Sequence, residues 1–262
     1  MRKKSLECVY ELAKTHAMGK KVVFIGSDLG PGVMENFKKD FPKKFFMEGI
    51  SEQHVIGMAA GMAMDGFVPY VNTISTFLTR RCYEQICIDV CLHDLPVRLI
   101  GNGGGLVYAP LGPTHQAIDD IALMRNLPNM TIISPCDAYE MEKLMMQTLN
   151  WKHPIYIRLA KGGDEIIGNT NQNYKIGKGI VYKEAKDGLF ITTGIMAQKS
   201  LKAASHLDNK NMEVGLLHLP TVKPLDEDLI IKSIHKTSNI IIVEEHSVIG
   251  GLGSSILELI SK

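Results

Sequence analysis

Short apolar runs alternate with amphipathic stretches along almost the whole chain. The first five apolar runs are β-type in composition and apolar on both faces; they are KVVFIGS (21–27), VPYVNTI (68–74), PVRLIGN (96–102), MTIISP (130–135) and PIYIRLA (154–160). Helical periodicity fills the intervals, for example at 76–93 and 138–151. Strands that are buried on both faces and separated by helices are typical of a parallel α/β sheet.

The alternation pauses in a stretch rich in Gly, Asn and charge, at 161–178. It then resumes with strands and helices at 188–194, 196–207, 212–219, 226–235 and 239–246. The pattern predicts an α/β protein of two domains, each a mostly parallel sheet flanked by helices. We place the larger domain at 1–165, a linker at 166–174 and a shorter second domain at 175–262.

Composition excludes several classes of function. Lys and Arg number 29 against 28 Asp and Glu, so we expect neither a nucleic-acid nor a membrane partner. The basic amino terminus runs into a charged amphipathic helix, which indicates no signal peptide. The five cysteines form no CxxC pair, so we expect free thiols, no metal ligands in this chain and a cytoplasmic location.

Three ionisable residues lie either at the start of a helix or in a glycine-rich turn or loop. Glu52 opens a helix of very small side chains, where the helix dipole alone would favour an acid and catalysis would also need one. His115 ends a long glycine-rich loop that follows a buried strand, a common place for sites in α/β sheets. Asp28 in GSDLGPG is either a ligand contact or a turn residue. These patterns leave the alternatives open.

The order of several blocks resembles the transketolase family. These blocks are GSDLG, EGISEQHVIGMAAGMAMDG, ISTFLTRRCYEQI, GPTHQAIDD, ISPCDAYE, HPIYIRLAKG and IIIVEEHSVIGGLGS. The resemblance implies a thiamine-diphosphate pyrimidine-binding fold followed by a transketolase C-terminal-like domain. The GDG motif, through which this family holds the diphosphate and Mg²⁺, does not occur. The resemblance therefore implies one half of a split enzyme, paired with an N-terminal-type diphosphate-binding subunit that carries the Mg²⁺ ligands, two of each chain.

The resemblance also implies roles for five residues around the cofactor. Glu52 would hydrogen-bond N1′ of the aminopyrimidine, sharing the proton that makes the 4′-amino group acidic enough to activate the thiazolium carbon. Phe77 would stack on the pyrimidine, and Ile74 would make an apolar contact where relatives often have a second aromatic residue. Asp28 and Arg80 would lie near the cofactor.

Four further positions concern the substrate. The resemblance implies that His115 bonds a substrate oxygen and takes part in catalysis, and that Arg158 grips a sugar phosphate. Leu111 replaces an aspartate that contacts a sugar hydroxyl in the family, and a family histidine is absent near Gly103. Because such sites discriminate through hydrogen bonds to hydroxyls, we expect an unusual sugar or nucleotide sugar.

The expected activity is transfer of a two-carbon ketol or acyl unit to or from a sugar-type carbonyl compound. Two alternatives remain open. One is the beta-type subunit of a 2-oxo-acid decarboxylating enzyme, and the other is a non-catalytic scaffold subunit that has kept the fold.

Overall fold

The computed structural model of the chain describes residues 1–15, 17–27 and 34–261. Its strands form two sheets, each mostly parallel and flanked by helices, so the predicted α/β class is confirmed. Asp28, one of the predicted cofactor contacts, lies outside the described residues. Within the described ranges, no helix combines the length and hydropathy that crossing a bilayer requires.

The described strands and helices follow the predicted alternation. The strands are β1 (Val22–Gly26), β2 (Phe45–Met47), β3 (Val68–Ile74), β4 (Arg98–Asn102), β5 (Thr131–Ile133), β6 (Ile155–Leu159), β7 (Ile180–Lys183), β8 (Gly188–Thr192), β9 (Val214–His218), β10 (Thr221–Lys223) and β11 (Ile240–Val243). The helices are α1 (Arg2–Lys14), α2 (Glu35–Asp40), α3 (Glu52–Met64), α4 (Tyr83–Gln85), α5 (Asp120–Arg125), α6 (Ala138–Thr148), α7 (Met196–Asp208), α8 (Glu227–Ile234) and α9 (Leu252–Ile260).

The first sheet has the strand order β10-β5-β6-β4-β3-β1-β2, and the second has the order β11-β8-β9-β7. Strands β1, β3, β4 and β6 are buried throughout, apart from the last residue of β3, because helices pack on both faces of the sheet. One apolar cluster joins α1 and α6 to one face, and another joins α3 to the opposite face. The carboxyl ends of parallel strands meet along one edge, where sites form in such sheets.

Strand β10 is a difference from the predicted pattern. It comes from the second half of the chain, yet it pairs antiparallel with β5 of the first sheet, Thr221 opposite Ile133. Leu219 and Val222 bury their side chains there, and Ser134 donates its N–H to the Pro220 carbonyl at 2.7 Å. The second domain therefore covers an edge of the first sheet. The local pattern of apolar residues does not predict this pairing.

The helix predicted at 76–93 is present but irregular. It begins with a π-helical turn at Phe77–Arg81, continues through α4, and ends with a second π-helical turn at Ile86–Cys91. Wide turns of this kind occur frequently at functional sites because they change the direction of side chains. Here the first one follows directly after β3, at the edge where the strands end.

Candidate active site

Glu52 is the first residue of α3, and only 2% of its surface is exposed. Ser51 takes the N-cap position but does not cap the helix with its side chain; its hydroxyl donates to the Glu48 carbonyl at 2.7 Å. The Glu52 carboxylate accepts a hydrogen bond from Nη1 of Arg81 at 2.5 Å. A buried charge requires such a partner, since burial of an unpaired carboxylate is strongly unfavourable.

The Arg81 guanidinium also covers the ring of Phe77. Its Cζ lies 4.6 Å from the ring centroid, a distance typical of a cation–π contact. Phe77 and Arg81 are four residues apart in the π-helical turn after β3, and the Arg81 side chain is 44% exposed. A flat cationic donor therefore lies between a buried carboxylate and an aromatic face.

The loop after β4 supplies the opposite side of the site. Gly103 has a φ of +83°, and a side-chain carbon there would overlap the ring of Tyr108. Gly105 has a φ of +76°, pairs with Ala117 in an antiparallel bridge, and leaves no room for a side chain beside the Glu245 carboxylate. The run of glycines in this loop is thus explained by close packing, and Tyr108 fills the space beside Gly103.

His115 lies next to Phe77. The two rings meet edge to face, with centroids 5.2 Å apart, and the Tyr108 ring is 6.4 Å from the His115 ring. The Nδ1 atom of His115 is 2.9 Å from the Thr114 hydroxyl, and Thr76 donates to the Thr114 carbonyl at 2.7 Å. The structure therefore brings three of the predicted site residues, Glu52, Phe77 and His115, into one region.

Arg80 connects this loop to the helical turn after β3. Its Nε is 2.9 Å from the Asp119 carboxylate, and its terminal nitrogens donate to the carbonyls of Pro113 (3.0 Å) and Gln116 (2.8 Å). The side chain is part of the surface, yet most of its donors are used within the protein. Arg80 holds the loop that carries His115.

Arg158 has a different position from the other predicted site residues. It is 5% exposed, and its Nε donates to Asp120 at 2.7 Å, while Nη2 donates to the carbonyls of Ala117 (3.1 Å) and Glu245 (2.9 Å). Burial lowers the pKa of Arg158, but the charge and hydrogen bond of Asp120 outweigh burial and raise it above its ordinary value. Arg158 therefore braces the first sheet, the loop and the second domain.

The other predicted positions lie on the rim. Ile74 ends β3, opposite Asn102 of β4, and is partly buried. Leu111 is 59% exposed, and Leu106 of the same loop is 46% exposed. The loop thus presents apolar side chains to solvent beside His115.

Sequence reasoning missed Arg81 and Tyr108. The signal for Arg81 was the spacing of four residues from Phe77, which favours contact on a helical turn. No local pattern pointed to Tyr108, because its contact with Gly103 depends on how the loop folds back.

Two family models match the chain. "Transketolase, pyrimidine binding domain" matches residues 2–163, and "Transketolase, C-terminal domain" matches residues 177–262. The fold and the site define an α/β protein in which a buried carboxylate and aromatic side chains lie together at the strand ends. The chain belongs to the transketolase family. Membership of this family implies dependence on thiamine diphosphate.

Relatives that are separate subunits cover most of this chain. It is 34% identical to a putative transketolase C-terminal section from Methanocaldococcus jannaschii, over 100% of this chain and 82% of the relative. It is 32% identical to a 6-deoxy-6-sulfo-D-fructose transketolase subunit from a Clostridium species, over 92% and 76%. A solved structure described as a split-gene transketolase in an inactive β4 tetramer superimposes with a TM-score of 0.90 at 34% identity, over 99% and 83%. The chain is thus like the C-terminal subunit of a split transketolase.

Proposed function

We propose that this chain is the pyrimidine-binding subunit of a split transferase that moves a two-carbon ketol or acyl unit to or from a sugar-type carbonyl compound. It would act only with an N-terminal-type partner that binds the diphosphate and supplies the Mg²⁺ ligands, in an assembly of two copies of each chain. Thiamine diphosphate would bind where the two kinds of subunit meet. The named relatives, which are themselves subunits or sections, support this proposal.

One observation carries the proposal, namely the position of the Arg81 guanidinium. The guanidinium stacks on the Phe77 ring and donates a hydrogen bond to Glu52 at 2.5 Å. An aminopyrimidine ring needs the same two contacts, a flat aromatic or apolar neighbour and a carboxyl group at N1′. The residues present therefore fit the pyrimidine half of the cofactor, with Arg81 as a stand-in for the ring.

The cofactor, when bound, supplies the nucleophilic carbon that carries the two-carbon unit. Glu52 would hold a proton between its Oε2 and N1′ of the ring, after Arg81 has moved away. Phe77 and Ile74 would contact the ring and exclude water from it. His115, held by Thr114 at 2.9 Å, would donate a hydrogen bond to a substrate oxygen.

Arg80 and Arg158 would act mainly by positioning other parts of the site. Arg80 would keep the His115 loop against the helical turn through Asp119 and two carbonyl groups. Arg158 would keep the second domain in place, because Asp120 and two carbonyls occupy its donors. To hold a substrate phosphate as the family resemblance implies, Arg158 would have to exchange these buried contacts.

The exposed apolar side chains of the loop after β4 favour an unusual sugar or nucleotide sugar as substrate. Leu106 and Leu111 are exposed where a sugar hydroxyl would otherwise meet polar groups, and Tyr108 occupies the space at Gly103. A site that lacks such hydrogen bonds loses its selectivity for the corresponding hydroxyls. One relative is named for a sulfonated sugar, so substrates other than pentose phosphates occur among these subunits.

The test is reconstitution with the partner, sought as a chain that carries a GDG motif. The purified complex, with thiamine diphosphate and Mg²⁺, is assayed against a panel of ketose donors and aldose acceptors, and against pyruvate. We expect ketol transfer with one of the sugars. Rapid transfer between xylulose 5-phosphate and ribose 5-phosphate would contradict the substrate proposal, and decarboxylation of pyruvate with acyl transfer would favour the 2-oxo-acid alternative. Full activity of a Glu52→Ala complex would support the scaffold alternative.

A further inference from the structure

Three side chains with metal-binding atoms meet in the interior, and none of them is a residue of the candidate active site. Cys136 follows β5, Glu140 lies in the first turn of α6, and His218 ends β9 of the second sheet. Their sulfur, carboxylate and imidazole atoms all lie within 4.8 Å of one another, and all three residues are fully buried. The cluster therefore joins the two domains.

The hydrogen bonds of this cluster are incomplete. Glu140 Oε2 accepts the backbone N–H of Cys136 at 2.6 Å and is 2.9 Å from Nε2 of His218. Glu140 Oε1 is buried without a hydrogen-bond partner among the described residues. Buried polar atoms are nearly always paired, and an unpartnered carboxylate oxygen beside a thiol and an imidazole is a donor set that suits a divalent cation.

We propose that Cys136, Glu140 and His218 bind a zinc ion, or a similar soft divalent cation, between the two domains. Thiolate, imidazole and carboxylate are the ligand types that zinc prefers in proteins. The fourth position is available to the second carboxylate oxygen or to the Tyr182 hydroxyl, which is 3.8 Å from the Cys136 sulfur. The expectation that this chain lacks metal ligands rested on the absence of CxxC pairs. These ligands instead come from two segments far apart in the sequence, because Cys136 and Glu140 lie four residues apart and His218 belongs to β9.

The charges and the surroundings of the cluster fit this ion. Binding would form a sulfur–zinc bond and release the thiol proton of Cys136 to solvent, so that thiolate and carboxylate together balance the two positive charges. The Nδ1 atom of His218 is 3.3 Å from the Thr192 hydroxyl, which leaves Nε2 for the metal. Partners of this kind orient the imidazole ligand in metal sites.

The test measures metal in the full chain, purified without chelators or a histidine tag. We expect inductively coupled plasma mass spectrometry to find about one zinc ion per chain. Cys136→Ser and His218→Gln should each lower zinc affinity about tenfold or more. Cys8→Ser is the matched control, because Cys8 is also a buried thiol but lies in α1, outside the cluster, and its zinc content should stay unchanged.

A second measurement needs no variant and therefore does not depend on folding of a mutant. Metal-free protein, prepared with a chelator, is titrated with cobalt(II) chloride, and a thiolate-to-cobalt absorption band is expected that zinc chloride abolishes. Zinc should also raise the melting temperature of the metal-free chain. Absence of both the band and bound zinc after incubation with excess metal would overturn the proposal. Retention of zinc by the Cys136 and His218 variants would overturn it too. Neither measurement involves the partner subunit or thiamine diphosphate, so it is independent of the proposed activity.

Discussion

Two buried glutamates stand at corresponding places in this molecule. Glu52 opens α3 and Glu140 lies in the first turn of α6, and the exposed fractions are 2% and 0%. Both helices follow a strand of the first sheet, so the positive end of a helix dipole favours an acidic residue at each position. Their local sequence context is therefore alike, but their neighbours are different.

Glu52 has a partner that can move, because Arg81 is 44% exposed and belongs to the same domain. Glu140 is enclosed by the Cys136 backbone and by His218 from the second domain. A carboxylate with a partly exposed partner can exchange that partner for a ligand, whereas removal of an enclosed carboxylate leaves its buried partners unpaired. The two glutamates thus differ in their tertiary neighbours, and the following substitutions test the consequences of that difference.

The largest expected effect is that of Glu52→Gln on activity. The amide cannot share the proton of the pyrimidine N1′ in the same way, so we expect the rate of two-carbon transfer by the complex to fall at least about 100-fold. Stopped assays of product formation at saturating cofactor measure it. The matched control is Glu7→Gln on the exposed face of α1, which should keep full activity. A Glu52→Gln complex within about threefold of wild type would disprove the assignment.

The second effect concerns stability. Glu140→Ala leaves the Cys136 N–H and His218 buried without their partner, and we expect a loss of about 3 kcal/mol in the free energy of unfolding. Urea titration of chelator-treated protein measures this loss separately from any metal. Glu52→Ala should cost only about 1 kcal/mol, since the partly exposed Arg81 can turn to solvent. Equal losses for the two variants would remove the distinction drawn between the two glutamates.

Arg81→Ala should have a smaller effect, in the opposite direction. Arg81 occupies the contacts that the aminopyrimidine would need, so its removal should tighten thiamine-diphosphate binding by the complex about fivefold to tenfold. Calorimetric titration with the cofactor measures the dissociation constant. Arg81→Lys keeps the charge without the planar group and should lie between wild type and Arg81→Ala. Weaker binding by Arg81→Ala would show instead that the arginine assists the cofactor.

The smallest effect is expected for Arg80→Ala. Its ion pair with Asp119 lies at the surface and contributes at most about 1 kcal/mol, so the loop that carries His115 should loosen only slightly. We expect the KM for the sugar substrate to rise about threefold while kcat changes less. Asp119→Asn should act in the same direction, because it breaks the same contact. A large fall in kcat with unchanged KM would place Arg80 in the chemical step.

Local pattern predicted most of the first sheet because its strands are continuous apolar runs, and β1, β3, β4 and β6 all lie within the predicted runs. It did not predict β10 or the short β2. Strand β10 has only three residues and owes its conformation to β5, which is almost ninety residues earlier in the chain. Short strands of this kind have too little periodicity to be detected, so pairing with a distant partner defines them.

In the candidate site, too, some features follow from local sequence and others only from the tertiary structure. Glu52, Phe77 and His115 each lie in a short sequence motif. The sequence by itself therefore determined which residue types open helix α3, follow strand β3 and end the glycine-rich loop after β4. Only the tertiary structure decided that Arg81 lies between Glu52 and Phe77, that Arg158 is enclosed by Asp120, and that His218 reaches Glu140 from the other sheet. The physical reason is that helix and strand patterns depend on neighbours a few residues away. Burial, ion pairing and metal-binding geometry depend on groups that only folding brings together.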